Sequence, residues 1–582
     1  MSEASIQALQ PTVRRLTVLA QDPDIQVNGK PLLTKVTVPR ERLMSGPRGS
    51  RFVVIDYDAT TDTFYRPFEL PDDRDPYDRA GEMNVDQLLA DPGFHAQNVY
   101  AIAASTLFEF ERALGRQIGW GFDYGSHRIK LFPHAFCEAN AFYSRADESL
   151  AFGYFPHPRN SRRTVFTCLS HDVIAHETTH ALLDGLRGEL MRPSSPDQAA
   201  FHEAFADIVA LLMVLKNEEL VAVAVDNELP RTRTNAVKID DALEAIRKGS
   251  FLNGLAEELG KALFGMGRDA LRQSTKLAPG PGHYKDPRRT EPHDRGEVLV
   301  AAVMLALHKL WEKRLAGKTD RTRSPYVAVW RVAEEGAKAA DHLLNMLIRA
   351  IDYLPPVHVD FGDFLSAALT ADWQIMPRDD RYDYRKLLRD AFDAYGIKPA
   401  YDAPGEPGTW GRGTRDDREL DYTGIAFDGL RGSVDGVFEL IWQNREALYI
   451  HPDVFTRVRS VRPVWRVGPD GFVLRETVAE YYQLLKCAST SDFRALKIRV
   501  PEFVDDGIRP DLVGGGTLVF DEYGRLKFHV HNRIHSCHQH DRLMSIWQHG
   551  GALQKGEGAQ GFAEVHRRRG SGDAVFRREV WT

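Results

Sequence analysis

Alternating apolar and polar residues dominate the first part of the chain, a pattern typical of half-buried strands. Three β-rich runs divided by turn residues predict strands at 15–19, 33–38 and 51–57. The apolar residues of 97–114 recur with the helical period, and further strands are predicted at 129–132 and beside Asn140. This pattern predicts a β-rich N-terminal lobe over residues 1–169 that contains one long helix.

From residue 170 onward the helical period replaces the strand period. Apolar runs at 170–184, 197–213, 292–303 and 328–354 predict a helical lobe over residues 170–398. Glycine and proline are concentrated after this lobe, which indicates a linker over 399–418. The predicted fold class is therefore α+β, with a cleft between a β-rich lobe and a helical lobe.

Residues 419–582 return to short runs separated by turns. They predict strands at 464–467 and 472–475, a helix at 476–485 and a hairpin over 518–530. We expect a smaller accessory α+β domain, to which this pattern assigns no chemistry. Histidines crowd between His529 and His540 at spacings that suit either a metal site or a structural histidine run.

Composition and charge narrow the class of protein and its partners. The 582 residues are 43% hydrophobic and 27% charged, as in globular proteins, and a chain of this length forms roughly two to four domains. The net charge of −7 argues against nucleic acid as the main partner. The basic run 566–569 is typical of a solvated tail, and salt-sensitive DNA retention would test the opposite reading. The oligomeric state is not indicated by these features.

The chain start and the cysteines bear on the cellular compartment. No basic segment followed by an apolar core opens the sequence, so no signal peptide is predicted. The longest apolar runs, 208–215 and 298–307, are too short for a membrane span. Four cysteines without a Cys-x-x-Cys pair indicate free thiols in a reducing compartment. We therefore expect a cytoplasmic protein without a membrane partner, with non-classical export as the alternative.

The first candidate chemistry lies in the helical run 170–184. It contains His176, Glu177 and His180 in the pattern His-Glu-x-x-His. Residues four apart share one face of a helix, so the two imidazoles can bind one ion while Glu177 lies beside it. A carboxylate in that place can take a proton from a water that the ion holds. The alternative is a pair of surface histidines on an amphipathic helix.

A third ligand is expected from the next apolar helix, which Ser195 and Pro196 open as N-cap and first helical residue. Glu203 and Asp207 lie four apart on this helix and share a face. Carboxylates in apolar surroundings are costly unless they are paired or bind a metal. We expect Glu203 to complete the metal site and Asp207 to hold a ligand histidine ring, with an exposed polar stripe as the alternative.

These motifs together resemble the thermolysin-like, or gluzincin, family of zinc metallopeptidases. The resemblance implies a two-lobe fold with the zinc ion in the cleft, and zinc-dependent cleavage of protein or peptide substrates. It implies that His176, His180 and Glu203 bind the zinc ion. It further implies that Glu177 is the general base and that Asp207 orients His176.

The resemblance covers roughly residues 90–398, and its motifs occur in the family's order. Asn140 and Ala141 begin an Asn-Ala-Phe-aromatic segment that resembles the strand binding the extended substrate. Arg272 matches an arginine that contacts a substrate carbonyl, and His293 matches the histidine that stabilises the oxyanion. Leu271 and, on the motif helix, Val173 match pocket positions, which implies a preference for an apolar residue after the scissile bond.

Several positions depart from the family pattern. Met191 stands where the family has a tyrosine that donates a hydrogen bond in the transition state, and methionine has no such donor. Arg288 stands where the family has the acid that orients the oxyanion histidine, so Glu291 or Asp286 is expected to substitute. His202 replaces an asparagine beside the ligand Glu203.

Departures from the family pattern affect two expectations, namely the presence of a structural calcium ion and the level of peptidase activity. Asp172 matches one calcium ligand of the family, but Val214 stands where its acidic partner is expected, so no structural calcium is predicted. The alternative to a peptidase is a catalytically weak or inactive zinc-binding scaffold derived from one. The departures at Met191 and Arg288 favour this alternative, whereas the intact Glu177 favours the enzyme, because structural zinc sites need no general base.

Overall fold

The structure is a computed structural model, and it describes residues within 12–549. The described residues exclude 24–25, 28, 123–125, 158–159, 192–193, 250–276, 290, 321, 403–405, 414–418 and 469–470. The fold is mixed α+β, as the sequence predicts, with strands concentrated at the two ends of the described chain and helices between them.

The N-terminal part is built around a five-stranded mixed sheet. The strand order is Asn160–Phe166, Ser149–His157, Ile129–Phe136 and Phe52–Val54, and Ala141–Ser144 pairs antiparallel with Ser149–His157. We call Ala141–Ser144 the edge strand. Antiparallel pairs lie beside this sheet: Val13–Leu19 with Leu33–Pro39, Gln26–Val27 with Lys30–Pro31, and Tyr57–Asp58 with Thr63–Phe64. The strands predicted near 15–19, 33–38 and 129–132 are confirmed.

One long helix, Pro92–Leu114, packs beneath the first strand pair. It begins five residues before the predicted start because Asp91 caps it, with its side chain accepting the Gly93 N–H, and proline takes the first position. Gly115 ends it with φ of 68°. A side chain at Gly115 would strike the main chain of Trp465, whose N–H donates to the Gly115 carbonyl at 3.1 Å. Glycine is therefore required by both backbone angle and close approach.

The central part is helical, as predicted. Two helices carry the candidate chemistry: the motif helix, His171–Leu186, and the carboxylate helix, Pro196–Leu215. Among the described residues, the other α-helices of this part are Glu218–Glu228, Ile239–Lys248, Pro292–Ala316, Val329–Ala350, Phe361–Ile375 and Tyr384–Asp393, while the short helix Val85–Leu89 precedes the long helix of the N-terminal part. A short antiparallel pair, Ala236–Lys238 with Tyr326–Ala328, links two of them. Both chemistry-bearing helices are buried on nearly every face, so their polar residues need internal partners.

The carboxylate helix is long and apolar enough to cross a membrane by length and composition alone. Its side chains are all buried inside the protein. This helix therefore serves as a core helix of the fold, and its apolarity is accounted for by that burial.

The C-terminal part contains a four-stranded antiparallel sheet, the C-terminal sheet. Its strands follow chain order: Phe455–Val467, Val473–Leu485, Leu512–Phe520 and Leu526–Asn532. Short helices surround it: Phe427–Leu430, Val434–Gln443, Thr490–Ala495, Glu502–Asp505 and His538–His549. The predicted hairpin over 518–530 is confirmed.

The helix predicted at 476–485 is wrong, because these residues form the second half of the strand Val473–Leu485. Val478 on one face joins the apolar core of the helical part, while Ala479 and Tyr481 on the other face join a separate apolar cluster with Val434–Gln443. A strand buried on both faces lacks the alternation of a half-buried strand. Its polar residues Glu476, Glu480 and Gln483 are buried too and recur at intervals of four and three, so periodicity does not distinguish this strand from a helix.

The C-terminal sheet docks on the helical part through buried charges. Arg466 pairs with Glu476 at 2.6 Å and also with Asp352, which Arg116 binds at 2.6 Å. The described part of the predicted linker packs as well, since the Trp410 indole N–H donates to the Tyr353 carbonyl at 2.9 Å. The sheet and the helices therefore share one interior over the described residues.

Candidate metal centre

The motif helix places two histidine rings side by side. The Nε2 atoms of His176 and His180 are 2.9 Å apart, one helical turn along the same face. Thr178 and Thr179 on other faces return their hydroxyls to carbonyls four residues back, at 2.6 and 2.7 Å. These bonds satisfy both threonine hydroxyls within the buried helix, so neither hydroxyl needs a partner at the centre.

The carboxylate helix contributes Glu203 to the same point. Its Oε2 lies 3.7 Å from the Nε2 atoms of both His176 and His180, and the three donor atoms all lie within 4.8 Å of one another. The Glu203 side chain is only 1% exposed. The helix begins as predicted, with the Ser195 side chain accepting the Gln198 N–H. The expected meeting of the two motif histidines with Glu203 is thus present in the structure.

Asp207 orients one of the two rings. Its Oδ1 lies 2.8 Å from Nδ1 of His176. With Nδ1 beside this carboxylate, the other ring nitrogen, Nε2, faces the cluster and lies 3.7 Å from Oε2 of Glu203. His202, at the position of the family's asparagine, stacks on the His180 ring with centroids 4.6 Å apart and planes 5° from parallel. Both ligand rings are therefore held in place by neighbours on the carboxylate helix.

His293 also reaches this cluster. It lies in the first turn of Pro292–Ala316, and its Nε2 is 3.2 Å from Oε2 of Glu203. Its Nδ1 faces Oε1 of Glu291 at 3.0 Å. Glu291, one of the two acids named as substitutes, therefore takes the place expected of the family's orienting acid. Arg288 is exposed and pairs with Asp286, whose pKa the Arg288 hydrogen bond and charge lower well below its usual value.

Glu177 connects the centre to the edge strand. The Tyr143 N–H donates to Oε2 of Glu177 at 3.1 Å. Main-chain groups two residues apart in a strand face the same edge. The main-chain groups of Ala141 therefore face the same side as the Tyr143 N–H, away from the strand Ser149–His157. Glu177 and an open strand edge thus line one space.

Asn140 lies at the start of this edge. Its Oδ1 accepts the Ala141 N–H at 2.9 Å, and its own carbonyl accepts the Gly153 N–H at 2.8 Å. Its buried Nδ2 has no hydrogen-bond partner among the described residues. A buried amide donor without a partner is costly, so this atom is suited to a carbonyl of a bound molecule.

Two tyrosines, Tyr143 and Tyr284, are candidates to supply the hydrogen bond that Met191 cannot donate, but both are engaged elsewhere. The Tyr143 hydroxyl donates to Asp184 at 2.7 Å, and the Tyr284 hydroxyl donates to Asp197 at 2.5 Å. Burial, together with the negative charge of Asp197, raises the pKa of Tyr284 far above its usual value. Met191 itself is buried in the short 3-10 helix Gly188–Met191. Neither hydroxyl therefore replaces the family's tyrosine in this structure.

Arg272 and Leu271, the remaining residues expected at the site, fall within 250–276 and lie outside the described residues. Asp172, the residue matched to a calcium ligand, accepts the Ser170 hydroxyl at 2.6 Å. The position expected to carry its acidic partner is the buried Val214.

The donor set at the centre suits a borderline transition metal ion. Two imidazoles and one carboxylate within reach of one point are typical of catalytic zinc sites, which keep a further position open. A tetrahedral zinc ion with Zn–N distances of about 2.0–2.1 Å separates two nitrogens by about 3.3 Å. The two rings would therefore need to part by only a few tenths of an ångström. The residues present fit zinc.

A second group of buried donors was not predicted from the sequence. His95, His134 and Cys168 bring their donor atoms within 4.8 Å of one another. They lie 39 and 34 residues apart along the chain, and no local motif links them. Only the fold brings them together, so the spacing rules that identify the first centre cannot find this one.

The histidines between His529 and His540 take individual partners instead of converging. His529 shares a 2.8 Å hydrogen bond with the Tyr481 hydroxyl and stacks on His531 at 4.3 Å. The Nδ1 of His540 faces the Arg499 carbonyl at 3.1 Å. Within this fully described stretch, no three of these side chains form a group that could hold a metal ion.

Comparison with known proteins adds no family assignment. No family model matches the chain, and no curated protein sequence matches it either. The functional argument therefore depends on the geometry of the centre and on the residues themselves.

Proposed function

We propose that the protein is a zinc-dependent endopeptidase of thermolysin-like architecture. The observation that carries this proposal is the position of Glu177. It belongs to the His-Glu-x-x-His motif whose histidines meet Glu203, and it is hydrogen-bonded to the edge strand. A purely structural zinc site needs neither a carboxylate beside the ion nor a strand edge along it.

The proposed two lobes correspond to the two kinds of structure around the centre. The β-rich lobe supplies the edge strand, and the helical lobe supplies the motif helix and the carboxylate helix. A peptide added antiparallel or parallel to the edge strand would donate to the outward main-chain carbonyls of Ala141 and Tyr143, whose N–H groups are held by Asn140 and Glu177. The Asn140 amide nitrogen would donate to a further substrate carbonyl. Such binding recognises the main chain of the peptide, so peptides of many sequences can bind.

His176, His180 and Glu203 would hold the zinc ion. Zinc supplies Lewis acidity, which polarises a carbonyl oxygen and lowers the pKa of a water molecule. Glu177 accepts the proton from the attacking water and passes it to the leaving amine. His293, held by Glu291, donates a hydrogen bond to the oxyanion that develops on the carbonyl. Asp207 keeps His176 in the tautomer that a ligand requires.

A weak or inactive zinc-binding scaffold is the second candidate, and the position of two hydroxyls favours it. With Met191 in place of tyrosine and the Tyr143 and Tyr284 hydroxyls engaged by carboxylates, oxyanion stabilisation depends on His293 and the proposed Arg272. Loss of one oxyanion donor typically costs about 10²–10³ in kcat. We therefore expect a lower kcat than is typical of the family.

Cleavage of casein by the zinc-loaded full chain tests the two candidates. Activity should disappear with a zinc chelator and return with added zinc. Glu177→Gln should bind zinc equally and lose cleavage, while Glu219→Gln, on the exposed start of Glu218–Glu228, should retain it. A zinc-loaded wild type that cleaves neither casein nor short apolar peptides would support the scaffold.

A further inference from the structure

Three buried side chains outside the candidate metal centre converge from three different elements. His95 lies in the first turn of the long helix Pro92–Leu114, and His134 lies in the interior strand Ile129–Phe136. Cys168 lies in the 3-10 turn Thr167–Leu169, directly before the motif helix. Their donor atoms all lie within 4.8 Å of one another, and all three residues are buried.

Hydrogen bonds on the outer side aim both rings inward. Nε2 of His95 faces the Leu89 carbonyl at 2.9 Å, and Nδ1 of His134 faces Oδ1 of Asp56 at 2.6 Å. A carbonyl and a carboxylate both accept, so both outer nitrogens carry hydrogen. The inner nitrogens, Nδ1 of His95 and Nε2 of His134, lie 2.7 Å apart. Two lone pairs at this distance repel, so a positive species belongs between them.

That species is either a proton on His134 or a metal ion, and the Cys168 sulfur distinguishes the two. A proton shared by two nitrogens does not need a third donor atom beside it. One thiolate with two imidazoles is instead a donor set for zinc or copper and a poor one for magnesium or calcium. The charges also balance, because one thiolate and the Asp56 carboxylate neutralise a divalent ion in a buried place.

We propose that His95, His134 and Cys168 bind a second zinc ion, with Asp56 holding the His134 ring. The arrangement repeats that of the candidate metal centre, where the inner nitrogens lie 2.9 Å apart and a carboxylate holds an outer nitrogen. Aromatic rings enclose the cluster: Phe166 lies 4.7 Å from the His95 ring, centroid to centroid, and Tyr65 lies 5.2 Å from His134. The three protein donors leave one position of a tetrahedral ion for a further ligand.

The second ion would join three elements that position the first centre. It ties the long helix to the interior strand of the five-stranded sheet, which also carries the edge strand. Through Cys168 it anchors the residues that lead into the motif helix, His171–Leu186. The proposal does not depend on peptidase activity, since its test measures the metal ions themselves.

Cobalt substitution of the full chain tests the proposal. Only the second site has a thiolate, so the cobalt-loaded wild type should show a thiolate-to-cobalt charge-transfer band in the near ultraviolet. Metal analysis that measures zinc and copper should find a second equivalent of zinc per chain. Cys168→Ser should lose both the band and one equivalent, whereas Cys137→Ser, at an exposed cysteine, should lose neither.

A double substitution at the first centre provides the complementary measurement. His176→Gln with His180→Gln should lose the other equivalent of zinc and retain the charge-transfer band. This result would stand even if the chain cleaves no substrate. A single equivalent of zinc in the wild type, with no charge-transfer band after cobalt loading, would overturn the proposal and leave a protonated His134 between Asp56 and His95. Copper in place of zinc would overturn the assignment of the ion.

Discussion

Asp207 offers the most direct test of how the first centre holds its metal ion. Its Oδ1 lies 2.8 Å from Nδ1 of His176, and the carboxylate contacts no metal ligand atom on the inner side of the ring. Replacing it leaves the proposed donor set of two histidines and Glu203 intact. Any change in zinc affinity then reports on ring orientation and basicity alone.

The expected magnitude follows from what each replacement removes. Loss of a carboxylate that holds a ligand histidine typically costs about 10–100-fold in metal affinity, or about 1.4–2.7 kcal/mol. Asp207→Asn keeps a carbonyl oxygen that can accept from Nδ1 but removes the charge, so we expect the lower end of this range. Asp207→Ala removes the acceptor altogether, so we expect the upper end.

Zinc competition against a chromophoric chelator, with the full chain at constant pH, measures these affinities. Asp73→Asn, at an exposed loop residue, is the matched control and should leave zinc affinity unchanged. Only one equivalent of zinc per chain should weaken, because the second proposed site lies in other elements. An Asp207→Ala protein that folds normally and binds zinc within twofold of the wild type would refute the assigned role of Asp207.

Two further predictions concern other carboxylates. Glu291→Gln should lower kcat/KM with little change in zinc affinity, because it removes the negative charge beside Nδ1 of His293, whereas Arg288→Gln, at the exposed position, should change neither. The pKa of Asp352 is raised by burial but lowered more by the adjacent guanidiniums, among them Arg466, and the net shift is downward. Its contribution to stability is therefore present above the unfolded pKa and is lost as pH falls through the folded pKa. Asp352→Asn should cost about 3–5 kcal/mol in urea unfolding at neutral pH, and the difference should shrink in acid; an equal cost at every pH would contradict this.

The first centre could be predicted because its information is local. The histidines lie four apart on one helix, and Glu203 and Asp207 lie four apart on the next, so helical geometry alone fixes each pair. The sequence could not specify which of two acids would hold His293. That choice depends on the turn before Pro292–Ala316, where Glu291 also caps the helix through the Asp294 N–H at 2.8 Å. Glu291 both holds His293 and caps the helix, and this double role becomes evident only once the turn has folded.

The second cluster and the second half of the strand Val473–Leu485 could not be predicted for a different reason. His95, His134 and Cys168 meet only after a helix, a strand and a turn have packed, and nothing in their spacing indicates that meeting. The strand Val473–Leu485 was misassigned because burial on both faces removes the alternation that identifies a strand. Both failures arise where tertiary packing, and not the local pattern, determines the environment of a residue.

The loop between the motif helix and the carboxylate helix connects the centre to the C-terminal part. Arg187, directly after the motif helix, donates to the Ile351 carbonyl at 2.6 Å and to the Thr517 hydroxyl at 3.0 Å. Arg459 pairs with Glu189 at 2.7 Å, and Arg542 donates to the Ser194 carbonyl at 3.0 Å. The C-terminal part therefore holds the segment that sets the distance between the motif histidines and Glu203. Because a buried guanidinium that loses a partner is destabilising, we expect removal of the C-terminal part to destabilise this loop.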